Sequence, residues 1–196
     1  MAHPSVPSIG LGVLHLFFHL SATVDRDAVL AAIKTAEADD VQVVTAVILG
    51  HKADIAVLAV ADDQWKLRHL QSSLERAGLQ LSQSYVSLTE LSEYAQGVPE
   101  NMRQARLYPQ FPIPDKPFFC FYPMSKARDV GANWYELDFD RRKELMYEHG
   151  GSGRKFAGRV VQLITGSTGL DEFEWGVTLF ADHPDTVKEI VYTMRY

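Results

Sequence analysis

The segment CFYPMSK, from Cys120 to Lys126, places a tyrosine and a lysine four residues apart at the end of an aromatic run. A tyrosine hydroxyl near an ammonium group can be kept polar and poised for proton or electron transfer, and the lysine can also pair with a carboxylate. The alternative is a tyrosine that only packs at the end of a strand. Tyr122 and Lys126 are therefore the first candidates for chemistry.

The second candidate is His149 in the helix-like segment DFDRRKELMYEHGG. It follows Leu145 and Met146 by four and three residues, which places it on the same side of a helix as these apolar neighbours. A histidine there can bind a metal or pack. Alternatively, a histidine in the last turn before Gly150 and Gly151 complements the helix dipole and helps to end the helix near His149.

Three further polar residues could contact a ligand. Arg106 in ARLYP and Arg195 in TMRY could clamp carboxylates through two hydrogen bonds, or could lie in solvent. Gln162 falls between two apolar residues of a predicted strand, which would aim its amide into a cavity.

Other motifs carry less information. His15 and His19 share a face of a predicted strand, but neither has a nearby third metal ligand, so both are interpreted as structural. GSGRKFAG lacks the Walker pattern and the dinucleotide fingerprint. The sequence contains neither GxSxG nor HExxH.

Composition restricts the class of ligand. The 196 residues are 46% hydrophobic, enough for a substantial core in one large or two small domains, and the net charge of -6 argues against general binding to nucleic acid. The segment from Lys126 to Arg159 is locally basic, with eight Lys or Arg against six Asp or Glu. An anionic ligand would be held there, unless these charges form only a solvated helix surface.

The single cysteine and the first apolar run indicate the compartment. One cysteine, Cys120, excludes an internal disulfide and favours a reducing environment. The run 11–20 is too short for a membrane span, contains two histidines and lacks a basic leader, so it is interpreted as a strand. We expect a cytoplasmic protein.

Periodicity predicts the order βαββαβ for the first half, 1–95, and much of the same order for the second, 118–196. The intervening segment 96–117 contains five prolines and is predicted to be a connector. The predicted strands are 11–20, 41–49, 54–61, 79–90, 118–123, 159–165 and 174–181, and the predicted helices are 25–38, 63–77, one that ends near His149, and 184–194.

An internal repeat relates the two halves. DIAVLAVAD, 54–62, aligns with EWGVTLFAD, 174–182, and the apolar helix positions that follow also repeat. The fold class is therefore predicted as α+β, with two ferredoxin-like units whose antiparallel sheets form a dimeric α+β barrel. A counterpart of strand 79–90 would come after the last residue, so the second unit is expected to lack its last strand, either by truncation or because another chain covers the open edge.

The motifs YPMSK, NWYELDFDRRKELMYEHG, GRKFAGRVVQLITGSTGLDEFEWGVTLFAD and EIVYTMRY resemble the coproheme decarboxylases, the haem-synthase branch of the chlorite-dismutase-like family. The similarity is dense from Ala105 to the C-terminus and weaker in GLGVLHLFF and GHKADIAVLAVADD. Members of that family usually continue beyond the segment that EIVYTMRY matches, and Phe173 stands where relatives often have tryptophan.

The resemblance implies a function. Enzymes of this branch use hydrogen peroxide to convert two propionates of iron coproporphyrin III (coproheme) to vinyl groups, which yields haem b in the last step of haem synthesis. By this resemblance Tyr122 is the radical-forming residue, Lys126 assists the second decarboxylation, and His149 is the proximal iron ligand.

The resemblance also implies a set of substrate contacts and an assembly. Gln162 matches the distal residue that faces the peroxide, where true chlorite dismutases carry arginine, and Met124 is its distal neighbour. Arg106, Arg195 and Tyr85 match contacts to the propionates. The family is typically homopentameric.

Three alternatives remain open at this point. The protein could bind or transfer haem without chemistry, or act as a chlorite-dismutase-like peroxidase. It could also be a haem-free barrel that serves as an oligomeric scaffold.

Overall fold

The computed structural model describes residues 3–95 and 97–195. The first unit contains four strands and two helices in the predicted order βαββαβ, and the observed bounds lie within two residues of the predicted ones. These elements are β1 (Gly12–His19), α1 (Arg26–Ala38), β2 (Gln42–Val47), β3 (Ile55–Ala61), α2 (Gln64–Arg76) and β4 (Gln80–Thr89).

Both helices of the first unit begin at aspartates. The side chain of Asp25 accepts hydrogen bonds from the backbone N–H groups of Asp27 and Ala28, each at 3.0 Å, and Asp63 accepts one from Trp65. These carboxylates satisfy donors that the first turn of a helix leaves unpaired. Each strand-to-helix turn is thereby fixed by its own sequence.

The segment between the units is not entirely irregular. It contains an eight-residue helix, α3 (Glu100–Leu107), which the proline count did not predict. Pro99 caps its start and Pro109 follows its end, so the prolines bound the helix without interrupting it. Leu107 is buried and anchors the helix, since its backbone carbonyl accepts a hydrogen bond from the Thr89 hydroxyl at 2.8 Å.

The second unit repeats the arrangement with three long strands among the described residues. A small hairpin and a 3₁₀ turn at Trp134–Glu136 are inserted after its first strand. The elements are β5 (Phe118–Met124), β6 (Arg128–Asp129), β7 (Ala132–Asn133), α4 (Phe139–Arg154), β8 (Val160–Gly166), β9 (Trp175–Ala181) and α5 (Pro184–Met194).

The prediction that a helix ends near His149 was wrong. Helix α4 continues for five more residues, to Arg154, through Gly150, Gly151 and Gly153. Glycine weakens a helix without breaking it, because it retains the backbone N–H that proline lacks. His149 is therefore an interior residue of α4, and the proposed role of ending the helix does not apply.

The long strands form one sheet in the order β2-β3-β1-β4-β8-β9-β5. All neighbours are antiparallel, and the two units join where Leu88 and Thr89 of β4 pair with Gly166 and Thr165 of β8. In the first unit β4 lies beside β1, whereas no strand among the described residues lies on the corresponding side of β5. The expected absence of a fourth strand in the second unit therefore holds for the described residues.

Two faces of the curved sheet bury different sets of side chains. The inner face forms a core shared by both units, in which Val13, Leu58 and Val60 meet Leu163 and Phe180; we call it the barrel core. Helices α1 and α2 cover the outer face in the first unit, and α5 packs on it in the second. No helix of the described residues is long and apolar enough to cross a membrane.

Candidate active site

Strand β5 presents alternate residues to opposite faces of the second half-sheet. Cys120 and Met124 pack with Phe156 and Ile190 on the helix side. Phe121 points the other way and stacks on His15 with ring centroids 4.1 Å apart. Since side chains alternate along a strand, Tyr122 shares the helix side, which we call the site face.

Tyr122 is accessible on this face, with 37% of its surface exposed. Partial burial raises the pKa of its phenol, and the neighbouring Cys120 adds to the shift. The phenol is therefore protonated at neutral pH, the form from which a tyrosine can give up an electron together with a proton.

Gln162 of β8 belongs to the same face. Val160, two residues earlier, packs into the cluster that contains Phe156 and Ile190, and alternation places Gln162 on the same side. Its amide nitrogen lies 3.8 Å from the position that a Cβ atom on Gly153 would occupy. The distal residue implied by the family resemblance thus faces the C-terminal end of α4.

Lys126 follows β5 directly and turns toward α4. Its ammonium lies 4.1 Å from the centroid of the Trp134 ring and donates to the thioether of Met146 at 4.0 Å. Burial lowers the pKa of Lys126, and the carboxylate of Glu174 partly opposes that effect. A half-buried cation is thereby placed against the helix that carries His149.

His149 lies on the exposed part of α4, three residues after Met146. Partial loss of water around the imidazole lowers its pKa, and the positive charge of Lys126 lowers it further. Both effects favour the neutral imidazole, which is the form that binds a metal.

Helix α4 packs loosely for its length. None of its 16 residues is buried, although Leu145 and Met146 are half-buried. On the sheet, Ile164 of β8 is 41% exposed on the site face. A helix and a sheet that leave apolar side chains open toward each other can accept a flat apolar ligand between them.

The glycines of α4 support the same interpretation. A Cβ atom added to Gly150 or Gly151 would meet only the guanidinium of Arg154, at 3.7 and 3.5 Å. A ligand can therefore approach the helix backbone next to His149 closely. The residues present fit a haem-type ligand, with His149 as the group that would hold its iron.

The basic character of the segment is smaller than the count of charges indicated. Arg141 pairs with Glu144 at 2.5 Å, Arg159 pairs with Glu189 at 2.8 Å, and Arg128 pairs with Glu174. Glu174 and Glu189 lie outside the segment and so offset its excess of eight cations over six acids.

The remaining predicted contacts lie on other elements: β4, α3 and the end of α5. Tyr85 is buried on the opposite face, with its ring 5.3 Å from Phe121 and its hydroxyl bonded to Ser167. Arg106 is exposed on the last turn of α3. Arg195 caps α5, and its guanidinium lies 5.1 Å from the Tyr192 ring.

Sequence reasoning missed Glu174, which is 7% exposed and directly precedes β9. Its carboxylate accepts the backbone N–H of Lys126 at 2.8 Å, the hydroxyl of Tyr135 at 2.5 Å and the guanidinium of Arg128. An acid inside EFEW, a segment otherwise interpreted as the start of a strand, was the only signal. Its partners are all distant in sequence, so no local pattern could identify them.

These elements define a class of protein: a duplicated ferredoxin-like α+β fold whose second unit carries a tyrosine on one face of its sheet, and a lysine beside the loosely packed helix that carries a histidine. The chain belongs to the chlorite dismutase family, because the family model with the description "Chlorite dismutase" matches residues 22–196.

Individual relatives agree with this assignment. The chain is 45% identical to a protein named coproheme decarboxylase from Staphylococcus carnosus, over 76% of this chain and 63% of that protein. It is 43% identical to a relative from Natronomonas pharaonis over 76% of this chain, but only 27% of that protein. The chain thus spans less than two thirds of the length of these curated relatives.

A solved structure extends the similarity to the whole described fold. The structure of a heme-binding protein from Thermus thermophilus superposes with a TM-score of 0.84 at 32% identity, and covers 100% of this chain and 88% of that one. The duplicated arrangement is therefore the fold of this family.

Proposed function

We propose that the protein uses hydrogen peroxide to decarboxylate two propionates of iron coproporphyrin III, which yields haem b. The observation that carries the proposal is that Tyr122 lies on the site face, while the Lys126 ammonium contacts Met146 of α4, the helix that carries His149. The 45% identity to a protein named coproheme decarboxylase supports it.

In this proposal each residue has one task. His149, held neutral by its surroundings, binds the iron of the substrate. The Tyr122 phenol loses an electron and a proton, and the resulting phenoxyl radical takes a hydrogen atom from the propionate chain. Lys126 pairs with a propionate carboxylate and positions it. Gln162 faces the peroxide side, and Met124, two strands away on β5, is a further distal-side residue in this proposal.

The reaction balances for each propionate. The side chain loses carbon dioxide, one hydrogen atom from the carbon next to the ring and one further electron, and so becomes a vinyl group. One peroxide accepts the two electrons and, with two protons, becomes two waters. The bound iron supplies the redox chemistry with peroxide, while the protein positions the propionate and the proton donors.

Arg106, Arg195 and Tyr85 stay proposed as contacts to the propionates. Tyr85 is the least accessible of the three, since its hydroxyl is already bonded to Ser167 on the opposite face. A substrate contact there would require that hydrogen bond to be exchanged.

The test is to incubate the protein with iron coproporphyrin III, titrate hydrogen peroxide and identify the porphyrins by mass spectrometry. We expect products with one and then two vinyl groups. If coproheme is bound but is returned with all four propionates, the proposal is wrong.

A second candidate is haem binding without chemistry, which the name of the Thermus thermophilus relative favours. It predicts a shift in haem absorbance on binding that is lost in His149→Ala, with no loss of propionates. The same incubation separates the two functions, because only the enzyme changes the mass of the porphyrin.

We also propose that the protein is a homopentamer, as its family resemblance implies, and that it is cytoplasmic, as its single cysteine favours. Light scattering coupled to gel filtration tests the stoichiometry, and fractionation of cells that express the protein tests the compartment. A monomeric species at working concentration would overturn the pentamer.

A further inference from the structure

A buried carboxylate ties together the parts of the chain that surround Lys126. Glu174 uses one oxygen, Oε2, for the backbone N–H of Lys126 at 2.8 Å. The other oxygen, Oε1, accepts the Tyr135 hydroxyl at 2.5 Å and the Arg128 guanidinium. Three donors from one ten-residue segment thus meet on a single side chain.

The backbone of Glu174 adds to this connection. Its N–H approaches the Ser125 hydroxyl and the Met124 carbonyl, both at 3.2 Å. The turn that leaves β5 is therefore bonded to the start of β9 through both the backbone and the side chain of one residue.

The same ten-residue segment, 126–135, also carries Trp134, whose ring the Lys126 ammonium contacts. The backbone N–H of Trp134 donates to the carbonyl of Ala127 at 2.9 Å, which closes the β6–β7 hairpin onto the turn. The Trp134 ring then lies under the Lys126 ammonium, 4.1 Å away. Lys126 and Trp134 thus lie at the two ends of one hairpin-closed segment, and release of that segment from Glu174 would free both groups from β9 and loosen their contact.

Charge and burial indicate that the hydrogen bonds to the Glu174 carboxylate are strong. Burial acts to raise the pKa of Glu174, but the hydrogen bonds from Tyr135, the Lys126 backbone and Arg128 outweigh it and hold the pKa below its ordinary value. An ionised carboxylate excluded from water is costly unless such donors surround it.

We propose that Glu174 is a positioning residue of the site: it fixes the turn after β5 and thereby holds the Lys126 ammonium on Trp134, facing α4. The effect of this placement on decarboxylation rests on the proposed function, whereas the placement itself does not. Glu174 acts through Lys126 and has no contact with substrate in this account.

The variant Glu174→Gln tests the placement with little change in volume. The glutamine amide has one oxygen that accepts and one NH₂ group that only donates. It therefore cannot accept hydrogen bonds from the Lys126 N–H on one side and from the Arg128 guanidinium on the other. Glu172→Gln is the matched control, since it removes the same charge from an exposed acid two residues earlier.

The direct readout is the NMR signal of the lysine ε-methylene groups in ligand-free protein labelled with ¹³C-lysine. A methylene group stacked on an indole ring is shifted upfield by the ring current, and the Lys126→Gln variant assigns the signal. We expect this upfield signal in the wild type and in Glu172→Gln, and its loss in Glu174→Gln. An unchanged Lys126 signal in folded Glu174→Gln would overturn the proposal.

A second variant keeps the test decisive if Glu174→Gln does not fold. Tyr135→Phe combined with Arg128→Leu changes two exposed side chains and removes two of the three donors. We expect the upfield shift to decrease, since the Glu174 carboxylate then keeps only its hydrogen bond from the Lys126 backbone N–H. A full shift in this folded variant would count against the proposal.

Turnover supplies the second readout. Displacement of a catalytic group by about 1 Å costs on the order of 100-fold in rate, so Glu174→Gln should slow the second decarboxylation by roughly 10- to 100-fold and accumulate the product with one vinyl group. If the wild type makes no vinyl product, the proposed function fails while the NMR result still decides the role of Glu174.

Discussion

The two ferredoxin-like units have the same order of elements but use their outer faces differently. In the first unit, α2 buries Leu67, Leu70 and Leu74 against the sheet. In the second unit, α5 packs on the sheet as its counterpart α2 does, whereas the longer helix α4, the counterpart of α1, buries none of its residues and carries His149 on an exposed turn. One copy of the repeat thus stabilises the fold, and the other leaves room for a ligand.

The polar residues follow the same division. Among the described residues, the strands of the first unit bury two ionisable side chains, His15 and Tyr85; the Nε2 atom of His15 bonds across the barrel core to a threonine hydroxyl of β9 at 2.8 Å. In the second unit, Tyr122, Lys126 and His149 are all partly accessible. The partly accessible polar residues thus lie in the unit whose helix α4 is loosely packed.

The largest expected effect contrasts the two helices. Leu74→Ala should lower the free energy of unfolding by about 2–5 kcal/mol, because Leu74 is completely buried and the truncation leaves a cavity. Leu145→Ala in α4 should cost about 1 kcal/mol or less, since its side chain is already partly in water. Urea denaturation of the ligand-free protein measures both changes; equal losses would contradict the comparison.

A smaller effect concerns acid stability. Burial lowers the pKa of His15 to about 3, while an unfolded histidine titrates near 6.5. Between about pH 6.5 and pH 3 the unfolded chain therefore binds the extra proton, and stability should fall by up to roughly 1.4 kcal/mol for each pH unit lost. Above about pH 6.5 His15 adds no pH dependence.

The variant His15→Leu isolates this contribution. We expect its unfolding free energy to depend less steeply on pH in the acid range, whereas His69→Leu, which replaces an exposed histidine on α2, should keep the wild-type slope. Identical slopes for His15→Leu and the wild type would show that His15 is not held neutral in the folded state.

The smallest expected effect is on the pH at which haem dissociates. Because its surroundings lower the pKa of His149, its imidazole should stay neutral below the ordinary histidine value of about 6.5, and haem should be lost only at lower pH. Lys126→Gln removes a charge that lowers this pKa, so it should move the midpoint upward. Absorbance titration measures the shift, and a downward movement would contradict the assigned cause.

Most of the fold could be predicted from the sequence, because the first unit has clear alternation and the second repeats it at a fixed offset. The failures have physical causes. Helix α3 is short and bounded by prolines, so its composition resembles that of a loop. Helix α4 passes through glycines that usually follow a helix.

The site was only partly predictable. The residues of CFYPMSK and the histidine of α4 were identified from residue type and spacing together with the family resemblance. The position of Tyr85 depends on how β4 pairs with β1 and β8, and the contacts of Glu174 depend on a hairpin 39–49 residues away in sequence. Such long-range pairings leave no periodic signal in a single chain.

The measurement that tests the central claim most directly compares Tyr122→Phe with Tyr108→Phe in the coproheme and peroxide incubation. Each variant removes one hydroxyl, the first from the site face and the second from an exposed tyrosine that follows α3. We expect Tyr122→Phe to bind coproheme but to form no vinyl product, while Tyr108→Phe forms both products at the wild-type rate. Normal turnover by Tyr122→Phe would show that the chemistry does not reside on this face of the second unit.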